Sequence, residues 1–557
     1  MMQKTYPDTS TSTYTYESTT SRLRSVLDAL GQTKQYGYAQ DNLLTSITYL
    51  NTVNATPSLT FAYDPYLRRR TSMTDGTGST SYTYVPIGSL GALQLQQESG
   101  PVPNSTIVYA YDAMQRLASR TVAGAGAETF GYDPIDRLTS HASDLGAFTL
   151  SYLGQTSQTT QRRMANTTLS TEWSYLPNSG DRRLSGITNI GLSSGQLSAY
   201  GYSTTSENFI SAISETSDTA PVYPSPLTQT VSYNNLNQLT NLSGQPLTFD
   251  ANGNLLSDGQ RTYAWDAENR LININYPGQS GKQIAFLYDG LNRRTAIVST
   301  PAGVGNATTT SYLWCGATIC QARNGSNTPI RSYYVEGEFV PGLPAQPYYY
   351  GTDQIGSVRR IFASATNAPG YNYDPYGLPL QSPPLSDFSY GGMLYSADSG
   401  LYLTQYRIYD PAAGRWLSRD PIDSQSVQIG ADPTIGSYSQ RSQDASKWAS
   451  SSINVIPEVG TVTWPNEANL YAYVDGNPIS FTDPTGEATR GEKIAAFIRF
   501  CLALLKFNHP DVEVPPPVQQ PVPRISEPSG PPPQLPKPPA AGKGPPPPNP
   551  PAPPISY

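Results

Sequence analysis

The sequence predicts an all-β protein, and three observations carry that prediction. First, 40 of the 557 residues are Tyr, while only 37% of the chain is hydrophobic and 14% charged. A compact globular enzyme usually holds roughly 45–50% apolar and about 25% charged residues. Here Ser, Thr, Asn, Gln, Gly and Pro make up the difference. Tyr is flat, stiff and amphipathic, which suits a half-buried strand. Second, runs such as STSYTYV (79–85) and KQIAFLYD (282–289) alternate with the two-residue period of a strand. Third, one short unit recurs: an aromatic, an Asp, an Arg four residues after the Asp, then an apolar residue.

The strong copies are YDPYLRR (Tyr63, Asp64, Arg68), YDAMQRL (Tyr111, Asp112, Arg116, Leu117) and YDPIDRL (Tyr132, Asp133, Arg137, Leu138). They continue with WDAENRL (Trp265, Asp266, Arg270, Leu271) and YDGLNRR (Tyr288, Asp289, Arg293), and weaker copies start at Tyr233 and Phe249. Each copy reads as strand, tight turn, strand. The aromatic closes one strand, the Asp carboxylate accepts N–H bonds inside the turn, and the Arg lies over the ring and pairs with the Asp. The apolar residue opens the next strand. No single unit buries enough surface alone, so the units must stack. A turn device used this often is structural rather than catalytic.

Other features narrow the function classes. The net charge of −7 is mild for this length and gives no basic stripe, which argues against a nucleic-acid-binding surface. His141 and His509 are the only histidines, and Cys315, Cys320 and Cys501 the only cysteines. These build no Ser-His-Asp triad, Cys-His pair or four-ligand zinc site, and no cofactor is expected. Cys315 and Cys320 read as partly buried thiols, with a local pair on a hairpin as the alternative. The first twenty residues have no apolar signal-peptide core, and no stretch reaches the ~18 apolar residues that span a bilayer.

The repeats resemble the YD repeats of Rhs proteins, Tc-toxin C subunits and teneurins. Residues 345–486 resemble the Rhs repeat-associated core, on YYYGTDQIGSVRRI (348–361), YNYDPYGLPL (371–380), YGGMLYSADSGLYLTQYRIYDPAAGRWLSRDPID (390–423) and NLYAYVDGNPISFTDPTG (469–486). The resemblance implies a strand ribbon over 1–344 that spirals into a hollow shell, closed by the core. Residues 424–466, rich in Ser and Gln, read as a loop inserted in the core. EKIAAFIRFCLALLKF (492–507) gives a short helical segment within 487–512, and 513–557 is a Pro-rich disordered tail.

The resemblance also implies a site. In the family, paired Asp-Pro motifs form an aspartyl-protease-like centre that cuts the chain just after the second motif and frees a C-terminal cargo. The matching residues are Asp420 and Asp483, with Arg419 as the basic neighbour. Two carboxylates held close together titrate as a pair, one able to accept a proton from water and the other able to polarise a carbonyl. The sequence departs from the family pattern at Asp423 (usually Gly), at Glu487 (usually Leu) and in the length between the motifs.

The implied function is a polymorphic-toxin shell that encloses its own C-terminal segment and releases it by self-cleavage. An immunity protein and a secretion-system component are the candidate partners. The implied location is the cell surface or exterior, reached by a signal-peptide-independent route after synthesis in the cytoplasm. Because the repeats begin almost at residue 1, a short family member or a fragment of a longer protein is also expected. Two alternatives stay open: a non-enzymatic adhesion module on the cell surface, and an inactive orphan fragment.

Overall fold

A computed structural model describes residues 3–421, apart from 194, 219, 382 and 383, together with 469–486. Asp423, the insertion 424–466, Glu487, the helical segment and the Pro-rich tail lie outside the described residues.

The all-β expectation holds. Nineteen strands from Gln3 to Ser217 form one sheet, each pairing antiparallel with the next in sequence. A three-stranded sheet spans Val231 to Pro246, and a second long meander of twelve strands runs from Thr248 to Phe362, across position 344/345. A four-stranded sheet from Leu394 to Trp416 follows. Successive residues on these strands alternate between buried and exposed, as in Leu59–Tyr63 and Gly146–Tyr152. The period-2 runs therefore have one face in a core.

The repeat acts as a turn clamp, in a form the sequence shows only in part. At the aromatic of each strong copy the strand register slips by one residue. The Asp carboxylate then caps the turn: Asp112 Oδ1 accepts the N–H groups of Met114 and Arg116 at 2.8 and 2.9 Å, and Asp133, Asp266 and Asp289 do the same in their turns. The residue just before the Arg takes positive φ in four copies: Gln115, Asp136, Asn269 and Asn292. Asn and Asp tolerate that conformation best, which explains a position the motif left undefined.

Arg–Asp pairing is observed for Arg116, Arg137, Arg270 and Arg293, each at 2.7 Å. Two expectations need correction. In the first copy the partner of Asp64 is Arg69, not Arg68, because this turn is one residue longer; Arg68 bonds the Asp41 carbonyl instead. The Arg also does not stack on the aromatic of its own copy. Arg116 lies over Tyr132, Arg137 over Tyr152 and Arg270 over Tyr288, each ring closing the next hairpin. The tyrosines reach back: Tyr132 OH donates to the Leu117 carbonyl, Tyr152 to Leu138 and Tyr288 to Leu271. Each turn is thus bolted to its successor in both directions, and the ribbon edge propagates from local contacts.

The two long sheets run side by side. Contacts between them advance in step: Lys34 with Glu268, Asp75 with Gly290, Glu98 with Arg293, His141 with Glu336, Leu145 with Tyr349 and Asp218 with Arg360. The second ribbon therefore follows the first in the same direction, as one turn of a spiral follows another. The sequence separation across the seam falls from 234 at Lys34 to 142 at Arg360, so the second turn is tighter. At the seam, His141 Nδ1 is 2.9 Å from Glu336 Oε2 and Nε2 is 3.2 Å from Glu128 Oε2.

Cys315 and Cys320 are joined in a disulfide with their Cα atoms 5.8 Å apart, which corrects the thiol reading. The strands Thr308–Cys315 and Thr318–Asn324 pair with Cys315 opposite Thr318, and the short turn between them brings the two side chains together.

Candidate functional site

The closing core packs around aromatic rings. Tyr390, Tyr402, Tyr409, Trp416 and Tyr473 form one buried cluster, with Tyr409 and Tyr473 centroids 4.4 Å apart. The core is tied to the start of the second ribbon by Leu255 N–H to the Leu417 carbonyl at 2.9 Å and by Tyr471 OH to the Gly253 carbonyl at 2.9 Å. Arg294 Nη2, farther along that ribbon, donates to the Thr404 carbonyl.

Two chain segments meet inside this core. Asp420 follows the strand Arg415–Trp416, and Asp483 opens the turn Asp483–Gly486. Both side chains are almost fully buried. What joins them is Arg407, in the strand-forming stretch LYLTQYRIYD. Its Nη2 lies 2.7 Å from Asp420 Oδ2 and 3.0 Å from Asp483 Oδ2. Its plane packs on Trp416, 4.2 Å from the ring centroid. A buried cation must be paired, and a planar guanidinium can serve several acceptors at once.

Arg407 also holds the backbone that follows the second motif. Its Nε donates to the Gly486 carbonyl and its Nη1 to the Leu470 carbonyl. On the other side of Gly486, its N–H donates to Asp483 Oδ1 at 3.0 Å. Gly486 has φ of +75°, and a Cβ there would collide with Thr404 Oγ1 and crowd Arg407, so only glycine fits this turn.

The structure brings Asp420 and Asp483 together and places Arg419 beside them in a different setting. The Arg419 guanidinium lies over the Tyr6 ring at 4.1 Å, and its Nε is 3.3 Å from Tyr471 OH. Arg419, Asp420 and Pro421 line a cavity of about 150 Å³, whose other walls include Asp28, Lys34, Glu268 and Arg270. Asp483 is not among its lining residues. Sequence reasoning missed Arg407. The available signal was the lone cation of the stretch LYLTQYRIYD, which runs through a buried strand pair. No cluster of His, Cys, Asp and Glu suited to a metal occurs among the described residues.

The comparisons agree with this architecture. The teneurin YD-shell family model matches residues 184–438. The tRNA nuclease WapA of Bacillus subtilis is 29% identical over 205 residues, covering 35% of this chain and 8% of that protein. The toxin protein Tse5 of Pseudomonas aeruginosa is 26% identical over 248 residues, covering 36% of this chain and 18% of that protein. The matched region and these relatives support an Rhs/YD-shell protein. A crystal structure of TcdB2-TccC3-Cdc42 shares the fold with a TM-score of 0.60 at 16% identity, covering 90% of this chain and 28% of that one. The chain spans only a minor part of the relatives it matches. No helix among its described residues is long and apolar enough to cross a membrane.

Proposed function

We propose that the chain is the closing part of a toxin shell, which encloses the segment after residue 486 and frees it by cutting the backbone just beyond the second Asp-Pro motif. One observation carries this reading. Asp420 and Asp483, separated in sequence by residues 421–482, converge on one buried guanidinium that also grips the Gly486 backbone. A purely structural turn has no need to gather two carboxylates from distant segments onto the chain at that point, since burying charge is costly.

The names of the relatives, a toxin and a nuclease, support a toxin cargo for the shell. On this reading the chain acts as a protease on itself alone. It is exported to the cell surface or exterior by a secretion-system partner, and a cognate immunity protein protects the producing cell from the cargo.

Intact mass of the purified full chain tests the cut. The wild-type chain is expected as two fragments that divide shortly after Gly486 and stay together until denatured, with the smaller one protected from added protease. Asp420→Asn and Asp483→Asn are expected intact. An uncut wild-type chain refutes self-cleavage, and a smaller fragment that is digested as fast as free peptide refutes enclosure.

A further inference from the structure

We propose that a cavity between the three-stranded sheet and the closing core binds a small carboxylate with an apolar body, an aryl or alkyl acid of roughly ten heavy atoms, and that Arg415 receives its head group. This site is separate from the self-cleavage reading and stands without it.

The walls set the body of the ligand. Leu239, Leu242 and Leu247 line the cavity from the small sheet and its exit, Phe249 and Leu255 from the start of the second ribbon, and Leu417 from the core. The cavity holds about 230 Å³. An apolar cavity of about 150 Å³ admits benzene, and pockets for drug-sized ligands start near ~300 Å³. A single ring or a short chain with a head group therefore fits. Gln245, Gln260 and Ala412, also in the wall, are exposed and give the ligand a way in.

Charge selects the head group. The run from Tyr409 to Arg415 is a further copy of the turn device, with the Arg five residues after Asp410, as Arg69 is after Asp64. Asp410 caps its turn by accepting the Ala412 N–H at 2.9 Å, and it stands opposite Arg415 in the strand pairing. Yet this clamp is open. Arg261 takes Asp410 at 3.2 Å while holding Asp258 at 2.6 Å. Arg415 turns instead to neutral acceptors, the Asn237 carbonyl at 2.6 Å and Asn469 Oδ1 at 2.9 Å, with its guanidinium over the Tyr233 ring. No ion pair reaches Arg415 among the described residues, and burial holds its pKa below the ordinary guanidinium value.

Asp258, Arg261, Asp410 and Arg415 all line the cavity. The two carboxylates share one guanidinium, and the second guanidinium is left without an anion. A ligand carboxylate supplies that anion, and the planar, weakly hydrated fork of Arg matches it. A cationic ligand would meet Arg415 uncompensated and both carboxylates already engaged by Arg261.

Calorimetric titration of the purified full chain with octanoate and with phenylpropionate tests the proposal, beside octanol and octylammonium as neutral and cationic counterparts. Support is saturable one-site binding of either acid with a Kd on the order of 0.1 mM. Octanol and octylammonium are expected to bind at least about tenfold more weakly, and Arg415→Gln to weaken acid binding by about tenfold or more. Leu242→Trp fills the cavity from a half-buried position and is expected to abolish binding while the melting transition persists. It carries the test if Arg415→Gln fails to fold. Binding of neither acid at millimolar concentration, equal binding of octanol, or a preference for octylammonium overturns the proposal. So does an unchanged affinity for the acid in either variant.

Discussion

His141 is the point at which the two ribbons test each other. Its ring lies 3% exposed, stacked on Phe130 and held by Glu128 of its own ribbon and Glu336 of the next. Arg120 pairs with Glu128 at 2.6 Å, and Arg162 reaches the Val335 carbonyl. Burial disfavours the imidazolium, but Glu336 and Glu128 outweigh burial and push His141 from an ordinary 6.5 up to about 10. Because the folded value is raised, the stabilisation is complete below about pH 6.5 and is lost as pH rises towards about 10. One extra proton held by the folded state is worth about 1.4 kcal/mol per pH unit, or roughly 3 kcal/mol between pH 7 and 9. His141→Gln removes that term and leaves Glu336 without its hydrogen-bonded cation, at a cost of about 3–5 kcal/mol near neutral pH. Urea unfolding from pH 6 to 9.5 is the assay. The wild-type midpoint is expected to fall with pH, and the variant's to start lower and fall less. A variant with the wild-type midpoint at pH 7, or one whose pH slope runs parallel to wild type, refutes the claim that an imidazolium staples the seam.

Two further outcomes follow from the ribbon. Arg69→Ala, which frees Asp64 and uncovers Tyr84, is expected to lower stability by about 1–2 kcal/mol, whereas Arg68→Ala changes it by under about 0.5 kcal/mol; thermal melts of the two variants rank them. Replacing Cys315 and Cys320 together by Ala opens a short hairpin loop and is expected to cost about 2 kcal/mol. Alkylation of unreduced, unfolded wild-type protein is expected to label Cys501 and neither of the other two.

The turn device was legible because all its parts lie within a few residues. The Asp cap needs only the local chain, and the five strong copies show the pattern repeatedly. Two details escaped. The extra residue in YDPYLRR makes Arg69 the partner of Asp64, a distinction between adjacent arginines that sequence spacing alone reads wrongly. The stacking of each Arg on the following tyrosine is a contact between hairpins, and a single copy of the motif carries no trace of it.

The sequence by itself determined the class of the molecule, the strand and turn chemistry, and the two Asp-Pro motifs as the place to look for a reaction. Those are set by side-chain periodicity, turn geometry and motif identity, which are local properties. Only the tertiary structure decided which ribbon residues face each other across the spiral, and that Arg407 rather than the adjacent Arg419 bridges Asp420 and Asp483. The reason is that a buried charge is satisfied by whatever folding brings beside it. Arg407, Asp420 and Gly486 come from three segments, and their common meeting point exists only once the core has closed.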